Sequence, residues 1–222
     1  MKKLMAICLG LLLLAIPVGV FAQKIIAEGT IVYDLEIQTG NTVPRKGEEF
    51  SGAKTTVYLK GNNSRSEMVS FLGNETTIHN AKSGSAVILK EFSGQKLMIT
   101  LTKENWVSRN KGFSGTRFEF FNEVKMVAGY TCKKATAIMP DGKSFTVYYS
   151  PDVMAANKEY DPTFANLPGL AMQYEIALGK MKVNYTLSKI NFDPVLIAKF
   201  DFPTAGYRVM TYDENQVMKK GD

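Results

Sequence analysis

The chain carries few side chains whose type and spacing could do chemistry. Its single histidine, His79, sits in NETTIHN beside Ile78, and strict alternation there predicts Ile78 inward and His79 toward solvent. A thiolate nucleophile needs a base within hydrogen-bond reach. Nothing in the spacing brings His79 to Cys132, and Cys132, in GYTCKKA, reads as a buried, inert thiol. A zinc site takes three or four Cys, His or carboxylate ligands, and the sequence holds no such cluster. Glu48 and Glu49 form the most obvious carboxylate pair, in a polar loop where both are solvated. There is no G-x-S-x-G elbow, no phosphate-cradling glycine loop and no dinucleotide fingerprint. The residues therefore predict no metal, no cofactor and no catalysis, and the function has to be sought in binding or structure.

What must position any binding residue is a single exported domain. Residues 1–22 combine Lys2 and Lys3, an apolar run from Leu4 to Val20 and the ending Val20-Phe21-Ala22, which reads as a secretory signal cleaved before Gln23. The run is shorter than the ~20 residues a membrane span prefers. Cys8 lies inside it, so no lipid-modified cysteine follows cleavage, and periplasmic export with no membrane span is expected. Only Cys132 survives, which excludes an internal disulfide. The formal net charge of +6 falls by the two lysines of the leader. The remaining Lys and Arg are scattered rather than grouped into a stripe, so nucleic acid is not an expected partner. Residues 23–222 suffice for one substantial core.

Within that domain the pattern is β. Ile31, Tyr33, Leu35 and Ile37 alternate with polar neighbours, and a polar loop spans 39–52. Alternating runs near 54–60, 64–71, 75–80, 85–92 and 95–102 are divided by short Gly, Asn and Ser turns, a hairpin signature. The second half repeats the design over 129–139 and 143–149, with a type I′ turn expected at Asp141-Gly142. It continues over 171–178 and 181–190, around Gly179-Lys180. NLPGL at 166–170 predicts a type II turn, with Pro168 fixing the first central φ and Gly169 supplying a positive one. Short helices are expected from Ser150-Pro151-Asp152 through Ala156, and over Val195 to Lys199 after Asp193-Pro194. So many strands with so little helix predict an all-β fold, one strongly curved antiparallel sheet in a half-open barrel.

The run KMVAGYTCKKATAIMPDGKSFTVYYSPDV followed by NLPGLAMQYEI resembles the second half of the GLPGLI family of exported Bacteroidetes proteins. VYLKGNNSRSEMVS and FDFPTAGYRVM are similar to a related exported domain of unknown function. Asn166 stands where that family has glycine before LPGL, and the aliphatic triplet after the corner is missing. The resemblance implies a cell-envelope protein whose fold is LolA-like, a half-barrel that holds an acyl chain on its concave face. Fold by itself does not assign function.

Two functions follow as expectations. In the first, the concave face is a pocket for a lipid or other apolar ligand, lined by Met172, Tyr174 and Ile176 from one strand and Val183 and Tyr185 from the next. Trp106 closes over it, and the chain's eleven methionines and thirteen phenylalanines supply adaptable lining. In the second, that face is solid core. Strand edges or the 39–52 loop then bind an outer-membrane or other envelope protein partner.

Overall fold

The computed structural model describes residues 23–38, 52–71, 73–179 and 181–221. The leader, Lys180 and nearly all of the 39–52 loop lie outside the described residues. The first half contains β1 (Lys24–Ile26), β2 (Glu28–Gln38), β3 (Ala53–Lys60), β4 (Asn63–Ser70), β5 (Gly73–Asn80), β6 (Ala86–Phe92), β7 (Gln95–Leu101) and helix α1 (Lys103–Asn110). The second contains β8 (Arg117–Val127), β9 (Tyr130–Ile138), β10 (Ser144–Ser150), β11 (Val153–Ala155), β12 (Leu170–Leu178), β13 (Met181–Asn191), β14 (Arg208–Thr211) and helix α2 (Tyr212–Gly221).

Twelve strands form one curved, open sheet in the order β14-β7-β6-β5-β4-β3-β2-β13-β12-β10-β9-β8. The two meanders meet where β2 pairs with β13, so the last hairpin returns to lie beside the first strand of this sheet, β2. The β fold is as expected, but the sheet is mixed rather than wholly antiparallel. β14 runs parallel to β7, and β1 pairs parallel with β11 in a separate two-stranded ribbon. That ribbon replaces the helix expected after Ser150. Lys24 N donates to Asp152 O at 2.7 Å and Ala156 N to Ile26 O at 2.9 Å, so the N-terminal strand takes up backbone groups that a helix would have satisfied internally. The other expected helix is a single 3-10 turn over Ile197–Phe200. α1, α2 and edge strands β8 and β14 were not expected.

The main core lies on the concave side, where Ile31, Tyr33 and Leu35 of β2 meet Val147 of β10, Met172 and Tyr174 of β12, and Val183 and Leu187 of β13. Two turns differ from expectation. Gly142 takes the left-handed φ of +83° while Asp141 does not, and Gly142 N donates to Met139 O at 2.9 Å. This is a type I turn followed by a left-handed glycine rather than type I′. At the NLPGL corner Gly169 is not left-handed, so the turn is not type II. Glycine is required there by proximity: a β-carbon on Gly169 would stand 2.1 Å from the Ser150 carbonyl oxygen. Leu167 and Leu170 drive the corner into the core, both essentially unexposed, and Asn166 Nδ2 ties it to Thr116 O at 3.1 Å.

Cys132 is buried in β9 and fully shielded from solvent, with its Sγ 3.4 Å from Tyr130 O. Burial pushes its thiol up to about 11, so the thiolate is scarce at neutral pH. Thiol reagents should label the native protein far more slowly than the denatured protein, and Cys132→Ala should cost about 1 kcal/mol in denaturant unfolding. Stoichiometric labelling of the native state within seconds would contradict this burial.

Candidate functional site

The concave face is not filled. Three adjoining cavities of about 220, 340 and 280 Å³ run along it, and Tyr185 of β13 lines all three. They follow the strands rather than cross them. Met68, Ser66 and Ser64 of β4 point inward at successive alternate positions, and so do Glu75, Thr77 and His79 of β5, which pair with them in that order. Four residues of strand make this row about 13 Å long.

The row changes character along its length. The first cavity is bounded by Ile37, Met68, Met181 and Val183, with Phe92 at its margin. The middle one adds Tyr33, Tyr160, Tyr174 and Ile176 to Thr55, Ser66, Thr77 and Asp161. The last is bounded by Ser64, His79, Trp106, Arg109, Asn110 and Asp161. The hairpin β12–β13 supplies the apolar wall because Tyr174 faces Tyr185 and Ile176 faces Val183 in register. The Tyr174 and Tyr185 rings stack at 4.7 Å, and Phe164 meets Tyr174 edge-on at 4.7 Å. Tyr33 anchors the floor by donating from its hydroxyl to Ala171 O at 2.9 Å.

Charge enters from two places. Glu75 pairs with Lys90 at 2.8 Å and with Arg109 of α1 at 3.4 Å. Asp161 caps a 3-10 turn by accepting from Thr163 N at 3.1 Å, and desolvation holds its carboxyl above the ordinary range. Burial likewise raises the phenols of Tyr160 and Tyr174, and takes Tyr185 to about 12.

His79 is the main correction. It is 2% exposed rather than solvent-facing. Its ring stacks on Trp106 at 4.2 Å and 13°, and neither ring nitrogen has a hydrogen-bond partner. Alternation failed here because both faces of β5 are covered: Ile78 is buried on the convex side with Val195 and Phe200, and His79 is covered by α1. α1 is held by a capping box in which Thr102 and Asn105 exchange side-chain and backbone bonds, which fixes Trp106 over the sheet.

Five of the six residues expected to line a pocket reach these cavities: Trp106, Tyr174, Ile176, Val183 and Tyr185. Met172 does not. It is fully buried in the main core, opposite the irregular pairing of Tyr148 and Tyr149, and contributes packing. Sequence reasoning missed the β4 and β5 contributors Ser66, Met68, Glu75 and Thr77, although their alternation was visible. It also missed Tyr160 and Asp161, which lie in an irregular segment with no period to betray them.

Ile176 is only half-buried and borders a cavity. Ile176→Ala should therefore cost about 1 kcal/mol, below the roughly 2 to 5 kcal/mol of a filled core site. Val183→Trp should cost less than the ~1 to 3 kcal/mol of overpacking, because the ring can enter the first cavity. Denaturant unfolding of both variants checks this, and losses in the filled-core range would mean the cavities close in solution.

Among the described residues no group of three or more His, Cys, Asp or Glu side chains could hold a metal ion, and no helix is long and apolar enough to cross a membrane. No protein-family model and no curated protein matches the chain. Among solved structures it is similar to PNGF-II, with 10% identity and a TM-score of 0.46 in the C2 crystal form, and 11% and 0.48 in the P21 form. Those alignments cover 84% and 86% of this chain and 32% and 33% of PNGF-II, so the chain spans about a third of that protein. It is also similar to MucB, with 8% identity and a TM-score of 0.39 over 83% of this chain and 60% of MucB.

Proposed function

We propose that this chain is an exported envelope protein that binds a lipid or other apolar ligand on the concave face of its sheet without altering it chemically. The observation that carries this reading is the row of unfilled cavities under Tyr185, apolar at the Ile37–Val183 end and walled by aromatic rings at its middle. Concave, largely apolar space with a few placed polar groups is what small-molecule sites are made of. The resemblance to the GLPGLI group, with its LolA-like half-barrel, points the same way. Purification under gentle conditions, followed by native mass spectrometry and organic extraction, should find an apolar molecule travelling with the protein. A protein that is always at its bare mass, and that binds no apolar dye when offered one, overturns the proposal.

A second reading has one observation in its favour. β8 is an edge of the sheet, and it exposes Phe120, Phe121, Val124 and Met126. An edge of this kind can accept a strand from a protein partner. Charged substitutions at Phe121 and Met126 would abolish capture of such a partner while leaving ligand binding intact.

A further inference from the structure

The last cavity is unlike the first, and its strangest member is His79. A buried polar group normally has a hydrogen-bond partner. His79 has none for either ring nitrogen while lining a cavity of about 280 Å³. Around it stand the hydroxyls of Ser64, Ser66 and Thr77, the guanidinium of Arg109 and the carboxyl of Asp161. A neutral imidazole offers one donor and one acceptor, hydroxyls offer both, the Arg109 guanidinium only donates and the Asp161 carboxylate only accepts.

Along the row the fixed charges cancel. Arg109 and Lys90 are matched by Glu75 and Asp161, Glu91 at the margin of the first cavity is matched by Lys96 at 3.4 Å, and Glu75 is already shared between Arg109 and Lys90 at 3.4 and 2.8 Å. Neither an anion nor a cation gains from such a balance, because each would face a like charge in a partly desolvated space. A neutral group bearing several hydroxyls can both donate and accept there.

We infer that the Ser64–His79–Trp106–Arg109 end of the row is a subsite for an uncharged, hydroxyl-rich headgroup, with the attached single chain lying toward Met68 and Val183. This rests on the apolar-ligand reading above and gives that ligand an orientation and a class: a single-chain amphiphile whose head is a glycerol or a sugar. The headgroup satisfies the imidazole nitrogens, and the ring of Trp106 keeps His79 facing it.

The test uses the mature chain and five probes below their micellar concentrations: monopalmitoylglycerol, hexadecyl maltoside, methyl palmitate, palmitate and hexadecyltrimethylammonium. Calorimetry gives affinities, and emission from Trp106, the only tryptophan, gives a second readout at the head end. One or both hydroxylated probes should bind at least about tenfold more tightly than the other three, as one or two additional hydrogen bonds allow. Comparison of the first two assigns glycerol or sugar. His79→Phe, which keeps the stack on Trp106, and Ser66→Ala should each weaken the preferred probe about five- to tenfold and methyl palmitate less than about twofold. Equal affinity for all five probes, or variants without effect, overturns the headgroup subsite and leaves the end of the row holding only water, with apolar binding intact. Tighter binding of either charged probe also overturns it. Binding of no probe removes the apolar-ligand reading itself.

Discussion

Gly169→Ala should be among the most damaging single-methyl changes in the domain, costing roughly 3 to 5 kcal/mol in denaturant unfolding. The added carbon would meet the Ser150 carbonyl oxygen at 2.1 Å, its carbonyl carbon at 2.8 Å and the Tyr149 ring at 3.0 Å. Two of these three atoms are backbone, which cannot swing aside like a side-chain tip. Relief requires β12 to move away from β10 where Leu170 pairs with Ser150, and the neighbouring Leu167 and Leu170 are locked into the core. For a domain of this size the loss corresponds to a melting temperature lower by on the order of 10 °C. Gly112→Ala is the matched control, because nothing lies within 4 Å of its added carbon and its φ is not left-handed. It should change stability by less than about 0.5 kcal/mol. A loss below 1 kcal/mol at Gly169 would mean that the corner does not approach Ser150 this closely.

The same corner illustrates what could be read from the sequence and what could not. That LPGL is a sharp turn feeding a half-buried strand was legible from composition and the period of two in AMQYEIAL. That its glycine serves close approach rather than a positive φ was not, because the Ser150 carbonyl is contributed by a distant strand. The hairpins from β3 to β7, together with β9–β10 and β12–β13, were legible for a related reason: each pair is joined by a short turn that fixes its register, which located even β5 and β6, whose two faces are both covered. β8 escaped because its residues are mostly exposed at an edge, and FEFFNEVKM carries no buried stripe. α1 escaped because it buries only Trp106 and is otherwise polar apart from an exposed Val107. The candidate site divides similarly. Its β12–β13 wall could be read from alternation, whereas the Tyr160–Asp161 side comes from an irregular segment, and its His79 end required knowing that a helix covers one face of β5.

Acidification from pH 7 to pH 5 should cost the ligand-free protein about 2 kcal/mol through His79 alone. Burial lowers its imidazole to about 4 against an ordinary value of 6.5. The unfolded chain therefore takes up a proton below pH 6.5 that the folded chain refuses until about pH 4. Stability from this group is fully present above pH 6.5 and is lost as pH falls through that window. The measured interval, pH 7 to 5, lies above the midpoints of ordinary carboxylates, and the chain has no other histidine. The groups that share the cavity with His79 act differently. Arg109 faces it as a guanidinium, and the raised phenols of Tyr160 and Tyr185 stay neutral. Asp161 has its carboxyl raised by desolvation, so the folded state binds its proton more readily than the unfolded state does. Protonation there is opposite in sign to the loss at His79. Urea unfolding at pH 7 and pH 5 tests this through His79→Phe, which should erase the ~2 kcal/mol decline, with Asp161→Asn as the variant in which the opposing carboxyl is removed. A parent protein that is equally stable at both pH values, with Asp161→Asn no different, would place His79 in contact with solvent and remove the basis for a headgroup at that end of the row.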